Sequence, residues 1–155
     1  MATMTSWRKL LAAFAGVVAA GSCAASASAQ TINPAPFTQA QSDAGRQTYA
    51  SSCASCHGDN LESKGAPALA GKEFADGTFG RRPVAQLYTF IHNSMPFCEG
   101  GSLATDAYVN VVAFILQANG AKPGNEPLTP TTGVKVGDII TGEMPPGFLK
   151  NAKSN

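Results

Sequence analysis

The sequence predicts an all-α fold in which three main helices are joined by irregular loops. Three segments, residues 42–53, 83–93 and 106–118, repeat apolar residues at helical spacing. No segment alternates apolar and polar residues as a half-buried strand would. Nearly all of the 16 glycines and 10 prolines fall outside these segments, where they favour turns. With 155 residues, the chain is long enough for one modest domain.

Residues 1–29 have the organisation of a secretory signal peptide. Arg8 and Lys9 supply a positive charge, a run of apolar and small residues follows from Leu10 to Ala20, and residues 27–29 form a small-residue cleavage site. A helix that crosses a bilayer needs about 20 apolar residues, more than this run contains. We therefore expect export of the mature chain, to the periplasm in a bacterium. Membrane contact is expected only if Cys23 is lipidated, for which its sequence context is a loose match, or if the protein joins a membrane complex.

The first helix is predicted to start at Ser42 or Asp43, either of which can cap it, and to run to Cys53. Gly45, Tyr49 and Cys53 recur every four residues and so share one face. Glycine inside a helix costs up to about 1 kcal/mol relative to alanine. The glycine therefore indicates a close approach by another helix.

The other two helices have clear apolar faces and clear ends. Pro83 suits the first turn of the second helix, which stops near Asn93. Thr105 can cap the third helix, which Asn119-Gly120 ends. The apolar faces consist of Val84, Leu87, Tyr88 and Ile91 in the second helix and Tyr108, Val111, Val112, Ile115 and Leu116 in the third.

The predicted helix ends divide the mature chain into three parts. Residues 30–41 are predicted to be an irregular arm, residues 42–120 the folded domain, and residues 121–155 a Pro/Gly-rich tail that is at best partly ordered. The net charge of +1 argues against a nucleic-acid partner.

The segment Cys53-Ala54-Ser55-Cys56-His57 has the attachment spacing of a c-type haem. Two thiols at this spacing can add across the two vinyl groups of one porphyrin, and His57 is then placed to bind the iron. The sequence thus predicts one covalent haem c, with His57 as a metal ligand and electron transfer rather than enzymatic catalysis as the function.

The second iron ligand is predicted to be Met95. It follows the second helix and precedes Pro96, which stiffens the loop that presents the sulfur. A thioether ligand favours ferrous iron and raises the potential. Met144 and His92 are the weaker alternatives.

A haem-binding histidine also needs a hydrogen-bond acceptor for its other ring nitrogen. The loop Gly65-Ala66-Pro67-Ala68-Leu69 offers the Pro67 carbonyl for this purpose, and Leu69 is expected to pack against the porphyrin edge. Cys98 is expected to be a small buried group, with an exposed thiol as the alternative.

Taken in order, these motifs resemble class I cytochrome c in its small bacterial mono-haem form. The resemblance implies three main helices around one haem, with the first and last crossing near Gly45, Tyr49, Val111 and Phe114. It also implies His57/Met95 ligation and the transfer of one electron between redox proteins, from a periplasmic dehydrogenase to an oxidase or another cytochrome. The matching residues are Gly45, Tyr49, Cys53, Cys56, His57, Gly65, Pro67, Leu69, Leu87–Pro96 and Val111–Leu116.

Four other functions compete with that of a free electron carrier. The chain could be a haem subunit permanently bound to a larger dehydrogenase or oxidase, or a haem sensor or enzyme with an open iron position, which Met95-Pro96 argues against. A thiol oxidoreductase would need a strand–helix–strand context around its Cys-x-x-Cys. A zinc site would need paired ligand spacings that the sequence lacks.

Overall fold

The computed structural model describes residues 34–150, and within this range it is helical. No strands occur there, only two isolated β-bridges, so the predicted all-α class is confirmed. The signal peptide and Cys23 lie outside the described residues. None of the helices between residues 34 and 150 is both long and apolar enough to cross a bilayer. The helices are α1 (Gln39–Ser52), α2 (Ala54–His57), α3 (Lys72–Asp76), α4 (Val84–Ser94) and α5 (Thr105–Ala118), followed by a 3₁₀ turn at Val136–Asp138.

Helix α1 starts earlier than predicted, inside the segment expected to be an irregular arm. Its N-cap is Thr38, whose hydroxyl accepts a hydrogen bond from the Gln41 amide at 3.2 Å. The Gln41 side chain in turn accepts from the Thr38 amide at 3.1 Å, which completes a capping box. The predicted caps, Ser42 and Asp43, are therefore wrong, and Ser42 is a buried helical residue.

Helices α1 and α5 cross at Gly45, as the resemblance to class I cytochrome c implies. A β-carbon at position 45 would overlap the backbone carbonyl oxygen of Asn110, so only glycine allows this approach. One turn further along, the rings of Tyr49 and Phe114 pack with their centroids 5.2 Å apart. The crossing fixes the end of α1, from which the Cys-x-x-Cys-His segment continues.

The ends of α4 and α5 differ slightly from the predicted ones. Pro83 is the N-cap of α4 rather than a residue of its first turn, and no side chain caps this helix. The amides of Val84 and Ala85 donate instead to carbonyls of the C-terminal segment. Thr105 is the first residue of α5 and Ala104 is its N-cap, so the predicted Thr105 cap is also wrong.

Residues 121–150, expected to be a partly ordered tail, pack against the helices. The expectation was wrong because the apolar side chains of this C-terminal segment have no regular spacing and are buried only through contacts with distant residues. Its carbonyls also hold α4, since Val134 accepts from Val84 and Thr132 accepts from Ala85, both at 2.9 Å. The buried side chains of the C-terminal segment are Ala121, Leu128, Val136, Ile139, Ile140 and Phe148.

Arg46 of α1 fastens the end of the C-terminal segment. Its guanidinium lies 4.6 Å from the ring centroid of Phe148 and 5.3 Å from that of Phe114. The two rings stack with centroids 5.4 Å apart, and an Arg46 Nη2 donates to the Phe148 carbonyl at 2.5 Å. Burial of the guanidinium lowers the pKa of Arg46 below its usual value.

Candidate functional site

The Cys-x-x-Cys-His segment forms the short helix α2, directly after α1. The Cys53 amide donates to the Tyr49 carbonyl at 2.9 Å, and the His57 amide donates to the Cys53 carbonyl at 3.0 Å. The buried Tyr49 hydroxyl donates to the Gly58 carbonyl at 2.6 Å. Tyr49 therefore holds the segment at both ends, because its backbone binds Cys53 and its side chain binds Gly58.

The two cysteines of the segment are free thiols in different surroundings. Cys53 is half-buried and Cys56 is exposed. Burial raises the pKa of Cys53 to about 11. Two free thiols beside one histidine are the groups that a c-type haem requires.

The His57 ring is oriented by the contact that the sequence predicts. His57 is 9% exposed, and its Nδ1 lies 2.8 Å from the carbonyl oxygen of Pro67. A carbonyl can only accept, so Nδ1 carries the proton and Nε2 presents its lone pair. A neutral imidazole in this tautomer is the form in which histidine binds a metal. This donor set fits a covalent haem.

The proximal loop, residues 58–71, folds back on the motif. Within it, Ser63 donates to the His57 carbonyl at 3.1 Å and Ala66 donates to the Cys56 carbonyl at 3.1 Å. The Leu69 amide donates to the Leu61 carbonyl at 2.9 Å, and the Leu69 side chain is partly buried against the core. The structure thus brings Cys53, Cys56, His57, Pro67 and Leu69 into one region. Contact of Leu69 with a porphyrin stays a prediction.

Asn119 completes the proximal loop, and sequence reasoning missed this role. Its buried side chain donates to the Leu69 carbonyl at 2.8 Å and accepts from the Gly71 amide at 2.9 Å. In the sequence, Asn119-Gly120 is only a helix stop. Asn119 is 48 positions from Gly71 and 50 positions from Leu69 in the chain, so no local signal could have revealed these contacts.

Met95 lies at the end of α4 and is held there by Tyr108. The Met95 amide closes the helix by donating to the Ile91 carbonyl at 2.9 Å. The Tyr108 hydroxyl donates to the Met95 carbonyl at 2.8 Å and accepts from the Leu103 amide at 3.3 Å. The sequence pattern counts Tyr108 only as part of an apolar face, although the hydroxyl of a buried tyrosine usually needs a partner.

The two alternative ligands, His92 and Met144, lie in different parts of the fold. The His92 ring packs 4.9 Å from the Tyr108 ring between centroids, and its Nδ1 lies 2.8 Å from the Asn93 side-chain oxygen. Met144 is partly buried against the core in the C-terminal segment. Among residues 34–150, no group of three or more His, Cys, Asp or Glu side chains is arranged to hold a metal ion.

Cys98 is exposed, so the expectation of a small buried group is wrong. It lies in the loop after Met95, at a φ of 67°. Phe97, directly before Cys98 in the chain, is 81% exposed. The loop itself is closed by backbone hydrogen bonds, among them one from the Gly101 amide to the His92 carbonyl at 2.7 Å.

Comparison with known proteins gives a consistent picture. The model of a family described as cytochrome c oxidase, cbb3-type, subunit III, matches residues 40–115. Thiosulfate dehydrogenase from Stutzerimonas stutzeri (strain A1501) is 35% identical over 77 residues, which cover 46% of this chain and 25% of that protein. The chain therefore spans only a part of the length of this relative.

Among solved structures, the sulfane dehydrogenase SoxCD from Paracoccus pantotrophus is similar, with a TM-score of 0.45 and 25% identity. The similarity covers 81% of this chain and 64% of that chain. The family match spans α1, the haem-attachment motif and nearly all of α5. These matches support a class I c-type cytochrome, with a domain that carries covalently attached haem c and transfers electrons.

Proposed function

We propose that this chain is a periplasmic carrier of single electrons whose haem iron is bound by His57 and Met95. The observation that carries the proposal is the hydrogen bond from His57 Nδ1 to the Pro67 carbonyl at 2.8 Å. It leaves Nε2 free to bind iron and makes the imidazole a stronger ligand. The haem, when bound, supplies a one-electron change of oxidation state at its iron.

The chain's own residues keep the two ligands in place during that change. On the proximal side, Tyr49 and the Pro67 carbonyl hold the motif and the His57 ring. On the distal side, Tyr108 binds the backbone of Met95, whose partly buried side chain packs against the core. Ligands that stay fixed suit electron transfer, and they leave no open iron position for substrate chemistry. We therefore assign the chain no enzymatic reaction of its own.

The compartment and partners are inferred from different observations. The signal-like segment 1–29 supports export, and haem attachment through thioethers suits an exported protein. A relative named for thiosulfate dehydrogenation supports a dehydrogenase as the electron donor. An oxidase or another cytochrome would then receive the electron.

Absorption spectroscopy of the purified holoprotein tests the ligand assignment. We expect a low-spin haem c, with a methionine–iron charge-transfer band in the oxidised form. The band should disappear in Met95→Ala and persist in the matched control Met144→Ala. A high-spin spectrum, or rapid CO binding by the reduced wild type, would refute the proposal. Loss of the band in Met144→Ala, but not in Met95→Ala, would identify Met144 as the ligand instead.

A second candidate is a haem subunit that stays bound to a dehydrogenase. It is favoured by the same relative, which is named as a dehydrogenase and is much longer than the matched segment. Size-exclusion chromatography of periplasmic extract from the native organism, followed at the haem Soret band, distinguishes the two. A free carrier elutes at the size of this chain alone, whereas a bound subunit elutes with a larger protein. Membrane extraction with detergent tests lipidation at Cys23.

A further inference from the structure

Asn119 is buried, with 0% of its surface exposed, and uses its whole side-chain amide for hydrogen bonds. Its Nδ2 donates to the carbonyls of Leu69 at 2.8 Å and Ile115 at 2.9 Å. Its Oδ1 accepts from the Gly71 amide at 2.9 Å. Since both Nδ2 contacts are acceptors and the Oδ1 contact is a donor, the orientation of the amide is fixed.

These bonds anchor one side of the stretch that contains Pro67. The other side is anchored by the Ala66 amide, which donates to the Cys56 carbonyl at 3.1 Å. Between these two anchors lies the Pro67 carbonyl that binds His57 Nδ1. Pro67 has no amide proton of its own, so its position depends on its neighbours.

We infer that Asn119 is a positioning residue for His57, acting through Leu69 and Gly71 to hold the Pro67 carbonyl against the ring. This inference rests on the proposed ligation of iron by His57. The Asn119 side chain forms its hydrogen bonds with Leu69, Gly71 and Ile115, not with His57, so its effect on the ring passes through the loop. Its backbone carbonyl also accepts from the amides of Thr141 and Gly142, at 2.9 and 3.0 Å, which fixes Asn119 from the C-terminal segment.

The test compares two amide-to-acid variants of the holoprotein. Asn119→Asp keeps an oxygen for the Gly71 amide but loses the amide donor to the Leu69 carbonyl. Gln41→Glu is the matched control, because Gln41 Nε2 donates to the Leu128 carbonyl at 2.9 Å, at the opposite end of α1 from the haem-attachment motif. Two readouts are followed: exchange of the His57 ring proton by NMR of the reduced form, and the midpoint potential.

In Asn119→Asp we expect the His57 ring proton to exchange about tenfold faster than in wild type, the factor for loss of one buried hydrogen bond. The potential should become more positive, because a weaker bond at Nδ1 lowers the basicity of the ligand. Gln41→Glu should match wild type in both readouts. If either readout is the same in Asn119→Asp as in Gln41→Glu, the inference is overturned.

A measurement on wild-type protein covers the case in which Asn119→Asp fails to fold. If Asn119 positions the ring, the Gly71 amide and the His57 ring proton should become accessible in one opening, with equal protection. Exchange of the ring proton while Gly71 stays protected would overturn the inference. Failure of this inference can be distinguished from failure of the proposed function. The proposed function depends on the methionine–iron band of the wild type, whereas the ring-proton comparison tests only whether Asn119 holds His57.

Discussion

Replacement of Phe148 by alanine tests whether the C-terminal segment is part of the domain core. The Phe148 side chain is 9% exposed and stacks on Phe114, with 5.4 Å between ring centroids. Truncation of a buried phenylalanine to alanine costs about 3–5 kcal/mol. Small domains have a total stability of only about 5–15 kcal/mol. We therefore expect Phe148→Ala to fold with a greatly reduced free energy of unfolding.

Guanidinium chloride unfolding of the holoprotein, followed by far-UV circular dichroism, measures this loss. The matched control is Phe97→Ala, because Phe97 is 81% exposed and should change the free energy by no more than about 0.5 kcal/mol. Equal stabilities for Phe148→Ala and Phe97→Ala would refute the packing of the segment. A double-mutant cycle with Arg46→Met isolates the contact between the guanidinium and the ring, expected at about 0.5–2 kcal/mol.

Three further substitutions test other parts of the structure. Tyr108→Phe removes the donor to the Met95 carbonyl, so added imidazole should bind the oxidised haem about tenfold more tightly in a spectroscopic titration. Gly45→Val drives a side chain into the Asn110 carbonyl and should lower the free energy of unfolding by at least about 1–3 kcal/mol; an unchanged denaturation midpoint would contradict the crossing. Thr38→Ala removes the α1 cap, with an expected loss of about 1 kcal/mol in the same assay, whereas Thr38→Ser should restore most of it.

The existence of the main helices could be predicted because their signals are local. Apolar spacing identifies α4 and α5, and the glycine at position 45 indicates where α1 meets another helix. The start of α1 was missed although its signal was present. Thr38 and Gln41 have capping-box spacing, but they lie among prolines and polar residues that favour an irregular arm.

The packing of residues 121–150 could not be predicted from the same kind of pattern. Leu128, Val136 and Phe148 are far apart and follow neither a helical nor a strand period. All three belong to the same buried cluster as side chains of the helices. Prolines and glycines in the segment indicate irregular backbone, and irregular backbone is equally compatible with a packed segment and a disordered one.

The site divides in the same way between local and distant determinants. The haem-attachment motif and the Pro67 carbonyl lie within one short stretch, so spacing and chemistry were enough to predict their contact. Tyr108 of α5 and its C-cap residue Asn119 contact that site, and only the fold brings them there. In the sequence, only the side-chain amide of Asn119 and the hydroxyl of Tyr108 distinguish these two residues from their apolar neighbours.

The C-terminal segment links the two sides of the site. Its carbonyls at Thr132 and Val134 accept from the first amides of α4, the helix that ends at Met95. Its amides at Thr141 and Gly142 bind the carbonyl of Asn119. The family match stops at residue 115 and includes neither Asn119 nor any group of the C-terminal segment. A buried polar group without a partner costs about 1–3 kcal/mol, and residues 40–115 alone would leave the first amides of α4, the Leu69 carbonyl and the Gly71 amide without these partners. The functional unit therefore extends through the C-terminal segment.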